Sequence, residues 1–157
     1  MEREDSVSVE EFGRLTWLEI DLARVRDNYH VVCDMVPAKT HVLCVVKDDA
    51  YGHGAVPVAR VLQEEGADWF AVATLEEALE LRRVGITGRM LVFGYVPALG
   101  VGEAIAQGIA ISVPDDDVAR ELAEAAAGKQ LTVHLKVDTG MGRGVVLVEG
   151  ALDVLRK

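Results

Sequence analysis

The chain has 157 residues, half of them apolar and 27% charged, which is the balance of a globular protein with one sizeable core. Its net charge of −10 argues against nucleic acid as a partner. No apolar run is long enough to span a membrane, and the acidic N-terminus lacks the apolar segment of a secretory signal. We therefore expect a cytoplasmic protein with a flexible acidic leader over residues 1–14 and one domain over residues 15–157.

Strands and helices alternate along the rest of the sequence. A strand is predicted at 16–22, followed by a helix that Asp21 caps and Pro37 ends. Thr74 and Glu77 have the spacing of a capping box at the start of another helix. Further strands are predicted at 41–46, 69–73, 90–94, 109–113 and 131–138, with helices near 55–65, 75–84, 101–107 and 115–127 and a last helical pattern at the end of the chain.

The spacing of these strands indicates the fold class. After the first helix the strand centres are separated by roughly 20 to 27 residues, the length of one β-α unit. Strands this apolar on both faces are typical of a parallel sheet covered by helices. An open doubly wound sheet and a (β/α)8 barrel both fit. Since a whole barrel takes about 250 residues, a barrel here would be an incomplete (β/α)8 TIM-type barrel, with about five β-α units plus an N-terminal strand.

In both architectures the functional side chains gather at the C-terminal ends of the strands, and Lys47 lies at the first such end. The segment "CVVKDDAYGHG" runs from an apolar strand directly into this lysine. Partial desolvation would lower the pKa of Lys47 and favour the free amine, which can form a Schiff base with a carbonyl such as that of pyridoxal phosphate. The alternative is an edge lysine paired with Asp48 or Asp49.

Other candidates follow the first and last of these strands. Tyr51 could hydrogen-bond a phosphate or hold Lys47 in place. In "HLKVDTGMGR", Arg143 could bind a carboxylate or a phenolate oxygen, or be an ordinary surface arginine. Lys136 and Asp138 point to the same side of their strand and could pair with each other.

The sequence gives no indication of a metal site. His53 lies between two glycines and has no partner histidine at ligand spacing. Cys33 and Cys44 lack a zinc-type pattern, and we expect both to be small core residues in a reducing compartment.

Two of these segments resemble a known family. "VVKDDAYGHGA" resembles the pyridoxal-phosphate signature of bacterial alanine racemases, and "HLKVDTGMGR" resembles their second signature. "TWLEIDLARVRDNY" and "DWFAVATLEEALELRRVGI" also fit the family in the same order, so the resemblance extends from about residue 15 to residue 144. It implies an N-terminal (β/α)8 barrel followed by a β domain, a homodimer, and conversion of L-alanine to D-alanine for peptidoglycan synthesis. The strand at 16–22 could then belong with the β domain.

The resemblance also implies roles for single residues. Lys47 matches the catalytic lysine that forms an aldimine with pyridoxal 5'-phosphate, and Tyr51 matches a tyrosine near the phosphate and that lysine. Arg143 matches the arginine beside the cofactor's phenolic oxygen and the substrate carboxylate. Lys136 matches a lysine that is often carbamylated and orients this arginine. Asp48 stands where the family has a small residue.

Racemisation needs an acid/base group on each face of the substrate. Lys47 would serve one face; the resemblance implies that a tyrosine of the partner subunit's β domain serves the other. Because the sequence contains neither that domain nor the later barrel strands, we expect a truncated racemase that is inactive alone and prone to self-association. Two alternatives stay open: a non-catalytic half-barrel that binds pyridoxal phosphate, and a racemase for another amino acid such as serine or lysine.

Overall fold

The computed structural model describes residues 16–142, 146–147 and 151. Its core is a five-stranded, fully parallel sheet in the order β1-β2-β3-β4-β5, and a parallel pair, β6-β7, lies beyond it. The strands are β1 (Leu43–Val45), β2 (Trp69–Val72), β3 (Arg89–Val92), β4 (Ile109–Val113), β5 (Val133–Leu135), β6 (Val137–Asp138) and β7 (Val146–Leu147). The helices are α1 (Leu22–Met35), α2 (Lys47–Gly52), α3 (Ala55–Glu64), α4 (Leu75–Arg83), α5 (Ala98–Ala106) and α6 (Asp116–Ala126).

The helix starts follow the predicted caps. The Asp21 side chain accepts hydrogen bonds from the Ala23 and Arg24 N–H groups at the start of α1, and the Asp115 side chain accepts one from the Val118 N–H in α6. The capping box of Thr74 and Glu77 is formed at the start of α4, with both of its reciprocal hydrogen bonds present. These side chains satisfy N–H groups that have no partner inside the helix.

Two strand predictions need correction. Residues 16–20 have no regular secondary structure, α1 begins at Leu22, and the Trp17 and Leu18 side chains are exposed. A strand at this place has no neighbouring strand among the described residues to satisfy its backbone hydrogen bonds. The alternation of apolar and polar residues is therefore not sufficient to predict a strand. The strand predicted at 131–138 is divided at Lys136, because β5 pairs with β4 whereas β6 pairs with β7.

Two predictions concern the ends of the chain. The leader predicted at residues 1–14 lies outside the described residues. So does the last helical pattern, except for Ala151, which is helical.

The two faces of the sheet differ. One face packs against α1, α3, α4, α5 and α6 and forms the main core; its strand residues are Cys44, Phe70, Val72, Met90, Val92, Ile109, Ile111, Val113 and Leu135. The cluster on the other face contains only strand residues, namely Leu43, Val45, Ala71, Leu91 and Ala110. Helices on one face of a parallel sheet fit a partial barrel, whereas a doubly wound sheet carries them on both.

None of the described helices is long and apolar enough to cross a membrane. Cys33 and Cys44 are free thiols and half-buried, and Cys44 packs against the main core as expected. Burial raises the pKa of the Cys44 thiol to about 11.

Candidate active site

Lys47 lies at the C-terminal edge of the sheet, two residues after the end of β1. Strand β1 ends at Val45, and the next residue, Val46, is buried in the main core. At Val46 the ψ angle is 22°, so the chain leaves the extended conformation there, and Lys47 is the first residue of α2. Its side chain is 32% exposed, so the amine can be reached from solvent.

The segment that presents Lys47 is a left-handed turn. In α2 the φ angles of Asp48, Asp49, Ala50 and Tyr51 lie between 52° and 56°, and the ψ angles lie between 38° and 48°. Such a conformation costs roughly 1–2 kcal/mol for each residue with a Cβ atom, so neighbouring groups must stabilise it. Sequence reasoning predicted only a polar, glycine-rich loop here.

Glu77 of α4 joins this turn to the neighbouring strand. One carboxylate oxygen accepts the Asp48 N–H at 2.7 Å, and the other accepts the N–H groups of Ala73 at 2.7 Å and Thr74 at 3.3 Å. Sequence reasoning identified Glu77 only as part of a capping box. The signal it missed is the position of this acid, since Glu77 lies in the first turn of the helix that follows β2, the strand next to β1 in the parallel sheet.

Further hydrogen bonds close the left-handed turn. The Asp49 carboxylate accepts the Ala55 N–H at 2.7 Å, and the Val46 carbonyl accepts the Ala50 N–H at 3.0 Å. The His53 imidazole Nδ1 lies 2.9 Å from the Ala50 carbonyl oxygen and 3.2 Å from that of Tyr51. His53 therefore caps the turn. Within the described ranges, no group of three His, Cys, Asp or Glu residues could hold a metal ion.

The surroundings of the Lys47 amine are acidic and aromatic. The amine forms an ion pair with the Asp48 carboxylate and lies 4.9 Å from the centre of the Tyr51 ring. The hydrogen bond to Asp48 is the main cause that raises the pKa of Lys47, and the charge of Glu77 adds to it. The expectation of a pKa lowered by burial is therefore wrong, because the carboxylate outweighs the desolvation of a side chain that stays partly exposed.

The second candidate group lies across the sheet. Lys136 is exposed between β5 and β6, and its backbone N–H donates to the Val113 carbonyl at 2.9 Å. Four strand spacings separate β5 from β1, which is roughly 19 Å along a flat sheet and less along a curved one. The Asp138 carboxylate accepts the N–H groups of Gly142 and Gly140, which lowers its pKa. Arg143 lies outside the described residues.

A parallel sheet with helices packed on one face, and with polar side chains such as Lys47 just beyond the C-terminal ends of its strands, fits a (β/α)8 barrel. The sequence profile of the alanine racemase N-terminal domain matches residues 20–157. The chain therefore belongs to the alanine racemase N-terminal domain family.

Individual relatives agree with this assignment. An alanine racemase of Desulforamulus reducens is 46% identical over 129 residues, which are 81% of this chain and 35% of the relative. The structure of alanine racemase from Clostridium difficile 630 superposes with a TM-score of 0.82 at 34% identity, over 91% of this chain and 39% of that one. A histidine racemase from Leuconostoc mesenteroides subsp. sake superposes with a TM-score of 0.79 at 27% identity, over 86% of this chain and 37% of that one. The chain thus spans about a third of the length of its curated relatives.

Proposed function

We propose that this chain is the lysine-bearing part of a pyridoxal-phosphate-dependent amino acid racemase whose substrate is alanine. The observation that carries the proposal is the partly exposed Lys47 amine just beyond the C-terminal end of β1 and beside Tyr51. The names of the relatives support the reaction and the substrate. In a bacterial cell, the D-alanine made in this way would serve peptidoglycan synthesis.

The described residues fit the cofactor. An aldehyde needs an accessible primary amine, and the Lys47 amine is accessible. The exposed Tyr51 side chain next to it offers a hydroxyl to a phosphate group. We assign Arg143 to the cofactor's phenolic oxygen and the substrate carboxylate, and Lys136, in carbamylated form, to orienting Arg143. When bound, pyridoxal phosphate supplies an electron sink for negative charge at the substrate Cα.

Lys47 Nζ would move the Cα proton on one face of the substrate. A single base can exchange this proton on its own side but cannot invert the centre, because inversion needs a second acid/base group on the opposite face. We propose that this second group comes from the remainder of a full-length racemase in the partner subunit of a homodimer. The 157 residues alone should then exchange the proton of one alanine enantiomer without converting it to the other.

Deuterium incorporation tests the proposal. The chain is incubated in deuterium oxide with pyridoxal phosphate and either L-alanine or D-alanine, and the Cα proton signal is followed by NMR. We expect one enantiomer to lose its signal faster than with free cofactor and to keep its chirality. Lys47→Ala should abolish the difference, whereas Lys39→Ala, a change of an exposed lysine away from the sheet edge, should not.

The same experiment separates the alternatives. Cofactor binding without exchange in either enantiomer would favour a non-catalytic half-barrel. The histidine racemase among the structural neighbours favours testing other substrates. Faster exchange with serine, lysine or histidine than with alanine would show that the substrate assignment is wrong.

A further inference from the structure

We propose that Glu77 is a positioning residue for Lys47, because its carboxylate holds the left-handed turn after β1 against the end of β2. The functional meaning of this inference rests on the proposed function, since it concerns the lysine that would hold the cofactor. The geometry itself is independent of any cofactor.

The Glu77 carboxylate does more than cap α4. In a capping box the side chain at the third helical position accepts one hydrogen bond from the N-cap N–H, and here the Thr74 N–H donates it to Glu77 at 3.3 Å. The two shorter hydrogen bonds, both 2.7 Å, come from Ala73 at the end of β2 and from Asp48, which is 29 residues earlier in the sequence. One side chain therefore binds the C-terminal ends of two neighbouring strands.

The hydrogen bond from Asp48 acts directly on the lysine. The N–H that Glu77 binds belongs to the peptide group between Lys47 and Asp48, and Asp48 is the first residue with a positive φ. Fixing this peptide plane fixes the backbone conformation on the C-terminal side of Lys47 and hence the direction of its side chain. Without the acceptor, the turn loses a contact that offsets its left-handed strain, so the amine would sample other positions.

Glu77 also contributes charge at this site. The charged and titratable groups around the Lys47 amine are Asp48 and Tyr51 of α2 and Glu77 of α4. Glutamine at position 77 keeps the size of the side chain but removes the charge and replaces one acceptor oxygen with a donor. Glu77→Gln therefore tests both the hydrogen bonds and the electrostatic effect. Glu76→Gln is the matched control, because Glu76 is the exposed neighbour on the same helix turn.

Amide hydrogen exchange measured by NMR tests the geometry without cofactor. In the native chain we expect a protected Asp48 N–H although the residue is exposed. In Glu77→Gln, exchange at Asp48 and Ala73 should be roughly 10- to 100-fold faster, the range for losing a hydrogen bond to a charged acceptor. Glu76→Gln should exchange like the native chain. An unprotected Asp48 N–H in the native chain would overturn the proposal even if the variant failed to fold.

The pH dependence of Lys47 reactivity tests the positioning role. The acetylation rate of Lys47 is measured against pH in the native chain, Glu77→Gln and Glu76→Gln, with a free amine in the same solution as the standard. The same three chains are then treated with pyridoxal phosphate and borohydride to measure the rate of cofactor attachment. In Glu77→Gln we expect the pH dependence of Lys47 acetylation to shift to lower pH than in the native chain, because a negative charge that raises the pKa of Lys47 is lost. When the two chains are compared at the same fraction of free amine, the cofactor should attach more slowly to Glu77→Gln. A merely structural role would leave the pH profile unchanged, and that result would contradict the inference.

The two hypotheses fail in different ways. If the native chain attaches no cofactor at Lys47, the proposed function is wrong, while the exchange and acetylation data still decide the role of Glu77. If native chain and Glu77→Gln attach it at equal rates with the same pH profile, Glu77 does not position Lys47 and the proposed function is unaffected.

Discussion

Lys47 and Asp48 are adjacent residues with opposite charges, and their side chains meet at the edge of the sheet. In an extended strand, neighbouring side chains point to opposite sides, so this contact requires the positive φ of Asp48. The resemblance identified Asp48 as unusual for its family. In the structure its carboxylate forms an ion pair with the Lys47 amine, which raises the pKa of Lys47.

Asp48→Ala should lower the pKa of Lys47 towards that of an ordinary lysine. The hydrogen bond to Asp48 is the largest cause that raises this pKa, and it is lost in the variant. The pH at which the free amine becomes available, followed by NMR titration of the lysine side chain, should therefore decrease. Asp27→Ala, on the exposed side of α1, is the control. An unchanged or higher titration midpoint in Asp48→Ala would show that the ion pair is absent in solution.

Sequence reasoning identified Lys47 but not the sign of its pKa shift. The run of apolar residues before Lys47 placed it correctly at the end of a strand. The sign of the pKa shift depends on whether a carboxylate approaches the Lys47 amine. That contact depends on backbone dihedral angles that could not be predicted from the residue pattern. The sequence left two interpretations of Lys47 open, a lysine that binds a cofactor and an edge lysine paired with an acid. The ion pair with Asp48 fits the second interpretation and is compatible with the first, because an ion-paired lysine can still bind a cofactor.

The left-handed turn α2 is the element that most distinguishes this site. Four consecutive residues with a Cβ atom adopt positive φ, which is uncommon because the Cβ atom approaches the following carbonyl oxygen. The neighbouring glycines Gly52 and Gly54 indicated a turn but not its handedness. Hydrogen bonds to Asp49, within the turn, and to Glu77 stabilise this conformation, and Glu77 comes from a part of the chain that a local pattern does not include.

Comparing glycine with alanine at position 48 tests the handedness. Both variants lose the Asp48 carboxylate, so their difference reports the backbone alone. At a positive φ, we expect Asp48→Gly to be more stable than Asp48→Ala by about 1 kcal/mol in urea unfolding. On the right-handed helix α4, Glu76→Gly should instead be less stable than Glu76→Ala by about 1 kcal/mol. If the stability difference between the glycine and alanine variants had the same sign at positions 48 and 76, the left-handed turn would be contradicted.

The ends of β2 and β3 approach each other closely at Gly94. A Cβ atom there would lie 2.5 Å from the Ala73 carbonyl oxygen, and the Gly94 N–H donates to that same oxygen at 3.0 Å. Gly94→Ala should therefore destabilise the chain by about 1–3 kcal/mol. Gly102→Ala, on α5 with no atom near the added Cβ, should stabilise it by about 0.5–1 kcal/mol. If Gly94→Ala and Gly102→Ala changed the urea midpoint equally, the ends of β2 and β3 would have to lie further apart in solution than in the structure.

Strand prediction succeeded where the apolar residues are buried by neighbours. Strand β4 agrees with its predicted range at every residue, and its side chains are buried throughout. The segment 16–22 has an alternating pattern of the same quality but no partner strand among the described residues. A local pattern contains no information on whether a partner exists, so this type of error cannot be removed by reading the segment more closely.

Within the described part of the chain, the five-stranded sheet does not close into a barrel. Strands β1 and β5 are its edges, and the face lined by Leu43, Val45, Ala71 and Leu91 has no helix packed on it among the described residues. Unpaired strand edges beside apolar side chains promote association with other chains. In a partial barrel, one face of the sheet is therefore packed against helices, and the other face carries apolar side chains that a complete barrel would enclose.

We expect the 157-residue chain to self-associate. Sedimentation velocity over a range of concentrations should show species larger than the monomer. Leu43→Lys, which places a charge on the helix-free face at the β1 edge, should reduce this association. A monodisperse monomer that unfolds cooperatively at all concentrations would contradict the prediction.

The central claim is that Lys47 is the residue that holds the cofactor. Treating the chain with pyridoxal phosphate and borohydride, followed by peptide mapping with mass spectrometry, tests it most directly. We expect the pyridoxyl group on the peptide containing Lys47; Lys47→Ala should lose it and Lys39→Ala should keep it. A label distributed over several lysines, or retained at full yield in Lys47→Ala, would contradict the account.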